Sequence, residues 1–97
     1  MIVDITRQKE TITIKTGSRL DANTAPELAD QIATMQFEKL VVDMADTAYV
    51  SSAGLRALMI GKKTADAQGA ALEIVHAQPA VEEIFEMSGF KKFLTIH

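Results

Sequence analysis

The chain contains no cysteine, which excludes disulfides, thiol nucleophiles and Cys-type zinc sites. It has no excess of basic residues: 10 Lys and Arg stand against 13 Asp and Glu, for a formal net charge of −3. A basic field able to hold nucleic acid or an anionic membrane is therefore missing. No apolar run approaches the roughly 18 residues needed to cross a bilayer. The opening stretch MIVDITRQKE mixes acid and base with its apolar residues and lacks the n-region and h-region of a signal peptide. These absences predict a cytoplasmic protein that binds neither nucleic acid nor membrane. Repeats, linkers and low-complexity segments are absent too.

What is present suits one compact domain over residues 1–97. With 47% hydrophobic and 24% charged residues, the composition is that of an ordinary globular protein. A chain of this length buries somewhat more than 60% of its unfolded surface, enough for one core.

The patterning predicts eight elements. Residues 1–6 and 11–15 alternate apolar and polar side chains, and with Arg7-Gln8-Lys9-Glu10 as the turn they read as a hairpin. After the break at Thr16-Gly17-Ser18, Asn23 or Thr24 can cap a helix whose first turn holds Pro26 and Glu27. Ala25, Leu28, Ala29, Ile32 and Met35 form its buried stripe. Lys39 to Met44 is a nearly continuous apolar run, which predicts a strand covered on both faces. A loop over 45–50 leads to a helix from Ala53 to about Gln68, stopped by Gly69. A strand over 71–76, a helix opened by Gln78-Pro79 and closed by Gly89, and a strand over 93–96 complete the chain. The alternation predicts an α/β fold with parallel strands joined by helical crossovers.

The stretch YVSSAGLRALMIG, Tyr49 to Gly61, holds the candidate site. Ser51 and Ser52 fall where a strand enters a helix, at backbone N–H groups without helical partners and at the positive end of the dipole. One hydroxyl there caps the helix. The second is approachable, because Ala53 and Gly54 are small. A helix N-terminus accepts phosphate on its amides, so modification is compatible with the fold and is felt by whatever docks there. A catalytic serine would need a base, and the only histidines are His76 and His97. The nucleophile-elbow pattern G-x-S-x-G is absent, so the chain reads as no enzyme. Asp43 and Asp46 bracket the loop before the serines without an evident third ligand for a metal. Arg56 is positive in a first turn that favours acids, so it is either an exposed cation or the match for a partner's acid. Tyr49 and Val50 either cover the core or offer an apolar anchor beside Ser52. Met59, Met87 and Phe90 read as core or core edge.

VSSAGLRAL, preceded by VVDMADTAY, resembles the signature of STAS-domain anti-sigma factor antagonists: a strand ending in D-L/M, a short loop, then S-[ST/SA]-G-L opening a helix. GSRLDANTAPEL resembles their G-x-[IL]-D-x-x-[TS]-[AS]-x-x-L segment, and VEEIFEMSGFKKFLTI their V-x-x-[LI]-F-x-[ML]-[ST]-G-[LF] segment with its final strand. The three matches run in order from Gly17 to Ile96. The resemblance implies a STAS fold, a mixed β-sheet with helices mainly on one side. It makes Ser52 the residue phosphorylated by an anti-sigma factor serine kinase, and Asp21 the loop acid beside it. Many members carry Asp immediately before the modified serine; here Ser51 stands there. The implied partner surface comprises Tyr49, Ser51, Ala53, Gly54 and Arg56 with Asp21. The implied partners are the kinase, bound while Ser52 is unmodified so that a bacterial sigma factor is freed, and a serine phosphatase that resets the switch. ATP and magnesium belong to the kinase, and this chain needs no cofactor. The alternative use of the same domain is as an unphosphorylated subunit of a transporter or of another signalling assembly.

Overall fold

A computed structural model describes residues 2–97. Its elements, in order, are β1 (Ile2–Gln8), β2 (Thr11–Thr16), β3 (Arg19–Leu20), α1 (Ala25–Ala33), β4 (Lys39–Asp43), β5 (Tyr49–Val50), α2 (Ser52–Ala67), β6 (Ala71–Val75), α3 (Pro79–Met87), a single 3₁₀ turn (Phe90–Lys92) and β7 (Thr95–Ile96). Five strands make one sheet in the order β1-β2-β4-β6-β7. Only the β1–β2 hairpin is antiparallel; β2–β4, β4–β6 and β6–β7 are parallel. The hairpin turn is tighter than the predicted four residues. β1 continues to Gln8, and Lys9 takes the left-handed conformation (φ 58°) that glycine or asparagine usually supplies.

The strands show why the helices gather on one side. In β2, β4 and β6, Ile12, Ile14, Leu40, Val42, Leu72 and Ile74 are buried, while the residues between them are half-buried or exposed. Period-two burial of this kind means one covered face. The run Lys39–Met44 is therefore not covered on both faces as its composition suggested: Val41 lies half-buried on the open face with Thr13 and Glu73 as its lateral neighbours. Leu28 and Ile32 of α1, Leu58 and Ala65 of α2, and Val81 and Phe85 of α3 close the core. Fully burying each of these side chains except the small Ala65 contributes roughly 1.5–3 kcal/mol. Phe85 stacks on the half-buried Phe90 at 6.3 Å between ring centroids. Met87, read as core or core edge, is instead 81% exposed, because α3 ends there and its buried stripe stops at Phe85.

Strands β3 and β5 have no counterpart in the predicted elements. They form a separate parallel pair, Arg19 beside Tyr49 and Leu20 beside Val50. At two residues each they are too short to show a period. Their pairing joins the segment entering α1 to the segment entering α2, and so brings both halves of the candidate site together.

Candidate functional site

The site lies where β5 enters α2. Ser51 is the N-cap, extended at φ −89° and ψ 177°, and its hydroxyl accepts from the Gly54 amide at 3.3 Å. Its carbonyl accepts the first helical bond, from the Leu55 amide, at 2.9 Å. The helix therefore begins at Ser52, one residue before the predicted start. Ser52 is exposed, and the second hydroxyl is not consumed by the fold. The first turn of α2 holds no acidic residue, leaving its dipole uncompensated.

Gly54 is buried because the helix mouth presses on β3: a methyl group there would lie inside 3.0 Å of the Leu20 carbonyl oxygen and 2.9 Å from Val50 Cγ1. That carbonyl accepts the Ser51 amide at 2.9 Å. Farther back, Ala48 N–H donates to the Ser18 carbonyl at 2.8 Å. The buried Thr47 hydroxyl donates to the Gly17 carbonyl at 2.7 Å and lies 2.6 Å from the Thr16 hydroxyl, also buried. The loop that delivers the serines is thus tied, from Thr47 to Ser51, to the loop that delivers Asp21.

Asp21 sits in the register position after Leu20, as Ser51 does after Val50. Its carboxylate accepts from Arg19 Nε at 3.1 Å and from the amides of Asn23 and Thr24 at 3.0 and 3.3 Å. The Arg19 guanidinium, with the Asn23 and Thr24 amides, holds this carboxyl below its ordinary value and outweighs the opposing effect of burial. Asp21 thus orders the turn ahead of α1, and the helix itself has no side-chain cap from Asn23 or Thr24. Thr24 occupies the N-cap of α1 without a side-chain cap bond; its hydroxyl donates to the Arg19 carbonyl instead. Arg19 also covers the Tyr49 ring at 4.6 Å. Tyr49 remains 40% exposed while Val50 is buried, so Val50 belongs to the core and Tyr49 to the surface. Arg19 and Thr47 were not singled out by sequence reasoning. Their roles depend on pairing between distant loops, which no local spacing records.

Behind the loop, burial pushes Asp43 up, but the Ala45 amide and the His76 ring bring it below its ordinary value. His76 Nδ1 stands 3.1 Å from Asp43 Oδ1, and His97 Nε2 stands 3.2 Å from Glu73 Oε1. Each ring is engaged by a carboxylate, and among the described residues no base is bonded to Ser52. Asp46 pairs with Lys15 at 3.5 Å, so Asp43 and Asp46 face different partners.

Beside the serines, α1 and α2 leave an open groove of about 360 Å³. Small side chains make it: Ala25, Ala29, Ala53 and Ala57 line it, together with Arg56 and Asp30. The serines, Gly54, Asp21, Tyr49 and Arg56 thus share one end of the molecule around α2. The Ser52 hydroxyl, the Tyr49 ring and the Arg56 guanidinium are all exposed there.

A one-sided mixed sheet with a serine pair at a helix start is a recognisable class, and comparison with known proteins gives the family. The family model described as "Mlab, STAS domain" matches residues 3–95, and the chain belongs to the STAS-domain family. A curated relative from Bordetella bronchiseptica, named "Putative anti-sigma factor antagonist BtrV", is 40% identical over 65 residues, which is 66% of this chain and 54% of the relative. The chain thus matches about half the length of that relative. The anti-sigma factor antagonist SpoIIAA in its unphosphorylated form superposes with a TM-score of 0.86 at 15% identity, covering 100% of this chain and 88% of SpoIIAA. A sulfate transporter family protein from Wolinella succinogenes reaches 0.81 at 11% identity, covering 90% of this chain and 73% of that one. At such identities the two structures share the fold. No described helix is long and apolar enough to cross a membrane.

Proposed function

We propose that this chain is a phosphorylation-switched anti-sigma factor antagonist. Unmodified, it binds an anti-sigma factor serine kinase through the end of the molecule that carries Ser52, and the sigma factor is released. Phosphoryl transfer makes an Oγ–P bond at Ser52 and breaks the bond between the γ-phosphorus and the bridging oxygen of ATP. The hydroxyl proton leaves to the kinase and ADP departs. Phosphoserine adds about −1.5 to −2 charges at neutral pH, which weakens the complex. A serine phosphatase restores the hydroxyl by hydrolysis. Transcription control in a bacterial cytoplasm follows from this reading.

The observation that carries it is the division between the two serines. Ser51 holds the cap and Ser52, one residue on, is exposed at the helix mouth. A group added at Ser52 leaves the cap bond in place. The likeness to a curated anti-sigma factor antagonist supports the choice of partner. Incubation with the cognate anti-sigma factor kinase and magnesium-ATP, followed by mass spectrometry, tests it. One phosphate on Ser52, and none on Ser52→Ala, is the expected result. Modification elsewhere, or equal kinase binding by Ser52→Asp and wild type, overturns it.

The fold shared with the Wolinella succinogenes transporter protein supports a second reading, a STAS subunit that works without phosphorylation. Stable association with a transporter component, with Ser52 unmodified throughout, would select it.

A further inference from the structure

Arg56 stands four residues after Ser52 on α2, and both side chains are exposed. Residues at this spacing are neighbours on a helix, with Cβ atoms about 5–6 Å apart. Long helical side chains lean toward the N-terminus, so an arginine at the fifth position of α2 reaches back over the first. An anion preceding a cation by four residues is also the favourable order with respect to the dipole.

Among the described residues, six of the other nine Lys and Arg residues are engaged, and the three that are not, Lys9, Lys63 and Lys92, lie away from the helix start. Lys15, Arg19, Lys39, Lys62 and Lys91 make ion pairs with carboxylates, and Arg7 donates to the carbonyls of Lys9 and Gln36. Among the described residues Arg56 makes neither kind of contact. Asp30 of α1 lines the same groove but forms no ion pair with it. Alanines at 25, 29, 53 and 57 leave the guanidinium room to swing.

We infer that Arg56 is the internal counter-ion of a phosphate on Ser52. Modification then changes the surface twice: a dianion appears, and the guanidinium that was open to an acidic partner group turns inward to meet it. Arg56 is a positioning residue for the modified state and has no part in phosphoryl transfer. The inference rests on Ser52 being the modified residue, and its test bypasses the kinase.

Phosphoserine is installed at position 52 of the full chain during translation, and its second ionisation, normally near pH 6, is followed by phosphorus NMR. A nearby cation favours the dianion and lowers the midpoint, so Arg56→Gln raises it by about 0.4. Arg56→Lys restores most of the difference. Lys63→Gln, which removes the same charge from an exposed site farther along α2, moves the midpoint by less than about 0.1. Equal movement in Arg56→Gln and Lys63→Gln overturns the inference. Kinase labelling of Ser52 with no Arg56-specific shift refutes the pair alone; an Arg56-specific shift in a chain that the kinase labels elsewhere refutes the switch and leaves the pair.

Discussion

Replacing Gly54 by alanine probes the joint on which the serine surface depends. Two effects compete. Alanine gains up to about 1 kcal/mol over glycine in a helix. The added methyl, however, lands inside 3.0 Å of the Leu20 carbonyl oxygen and 2.9 Å from Val50 Cγ1. The first of these is backbone that also accepts the Ser51 amide, so it cannot rotate away. Overpacking costs about 1–3 kcal/mol, and a backbone obstacle belongs at the upper end. The clash wins by about 2 kcal/mol, which for a domain of this size lowers the melting temperature by about 8–16 °C. Gly61→Ala is the matched comparison. Its methyl meets Ile32 Cδ1 at 2.9 Å and Leu72 Cδ1 at 3.3 Å, both tips of side chains that can shift, so cost and gain nearly cancel. Thermal melts followed by circular dichroism rank the two, and amide exchange at Ser51 reports whether the β3–β5 joint has opened. Gly54→Ala melting at or above wild type, or no lower than Gly61→Ala, would refute the close approach of α2 to β3 as the reason for this glycine.

Three further outcomes follow from the same contacts. Ser51→Ala removes the cap and lowers stability by about 1 kcal/mol, whereas Ser52→Ala stays within about 0.5 kcal/mol of wild type; urea denaturation separates them. Thr47→Val strands the Gly17 carbonyl and leaves the Thr16 hydroxyl only its 3.4 Å bond to the Asp43 carbonyl, at a cost of about 1–3 kcal/mol, with Thr16→Val/Thr47→Val costing less than the two single changes together. The Asp21 carboxyl is held below its ordinary value in the folded state, so its contribution is present above the unfolded pKa and fades as pH falls through the folded one. The stability difference between wild type and Asp21→Asn, measured by denaturant titration, is therefore full at pH 7 and closes in acid below the usual carboxylate range.

The larger elements were legible because each carries its own signal. TITIKT alternates, and half its residues are buried in that rhythm; the stripe at Ala25, Leu28 and Ile32 is buried as its spacing requires; Gly69, at φ 69°, follows α2 as its stop. The pair of serines was legible as a helix start, and the structure assigns the cap to Ser51. Burial on the sheet was harder to read. Leu40-Val41-Val42 is apolar throughout, and only the packing of the helices on one face shows that Val41 is on the other. The β3–β5 pair, the cover of Arg19 over Tyr49 and the Thr16–Thr47 contact escaped because each joins segments far apart in the chain. In such cases the partner's position, not the residue's neighbours, decides what it does.

The little two-stranded patch has a consequence for how this molecule can be read by others. Thr47 and Gly17 are 30 positions apart, with α1 and β4 lying between them in the chain, so the loops meet as part of the folded domain. Whatever grips both loops at once therefore inspects a finished tertiary object. A synthetic peptide copying the stretch around position 52 would offer the right letters without the rim that frames them.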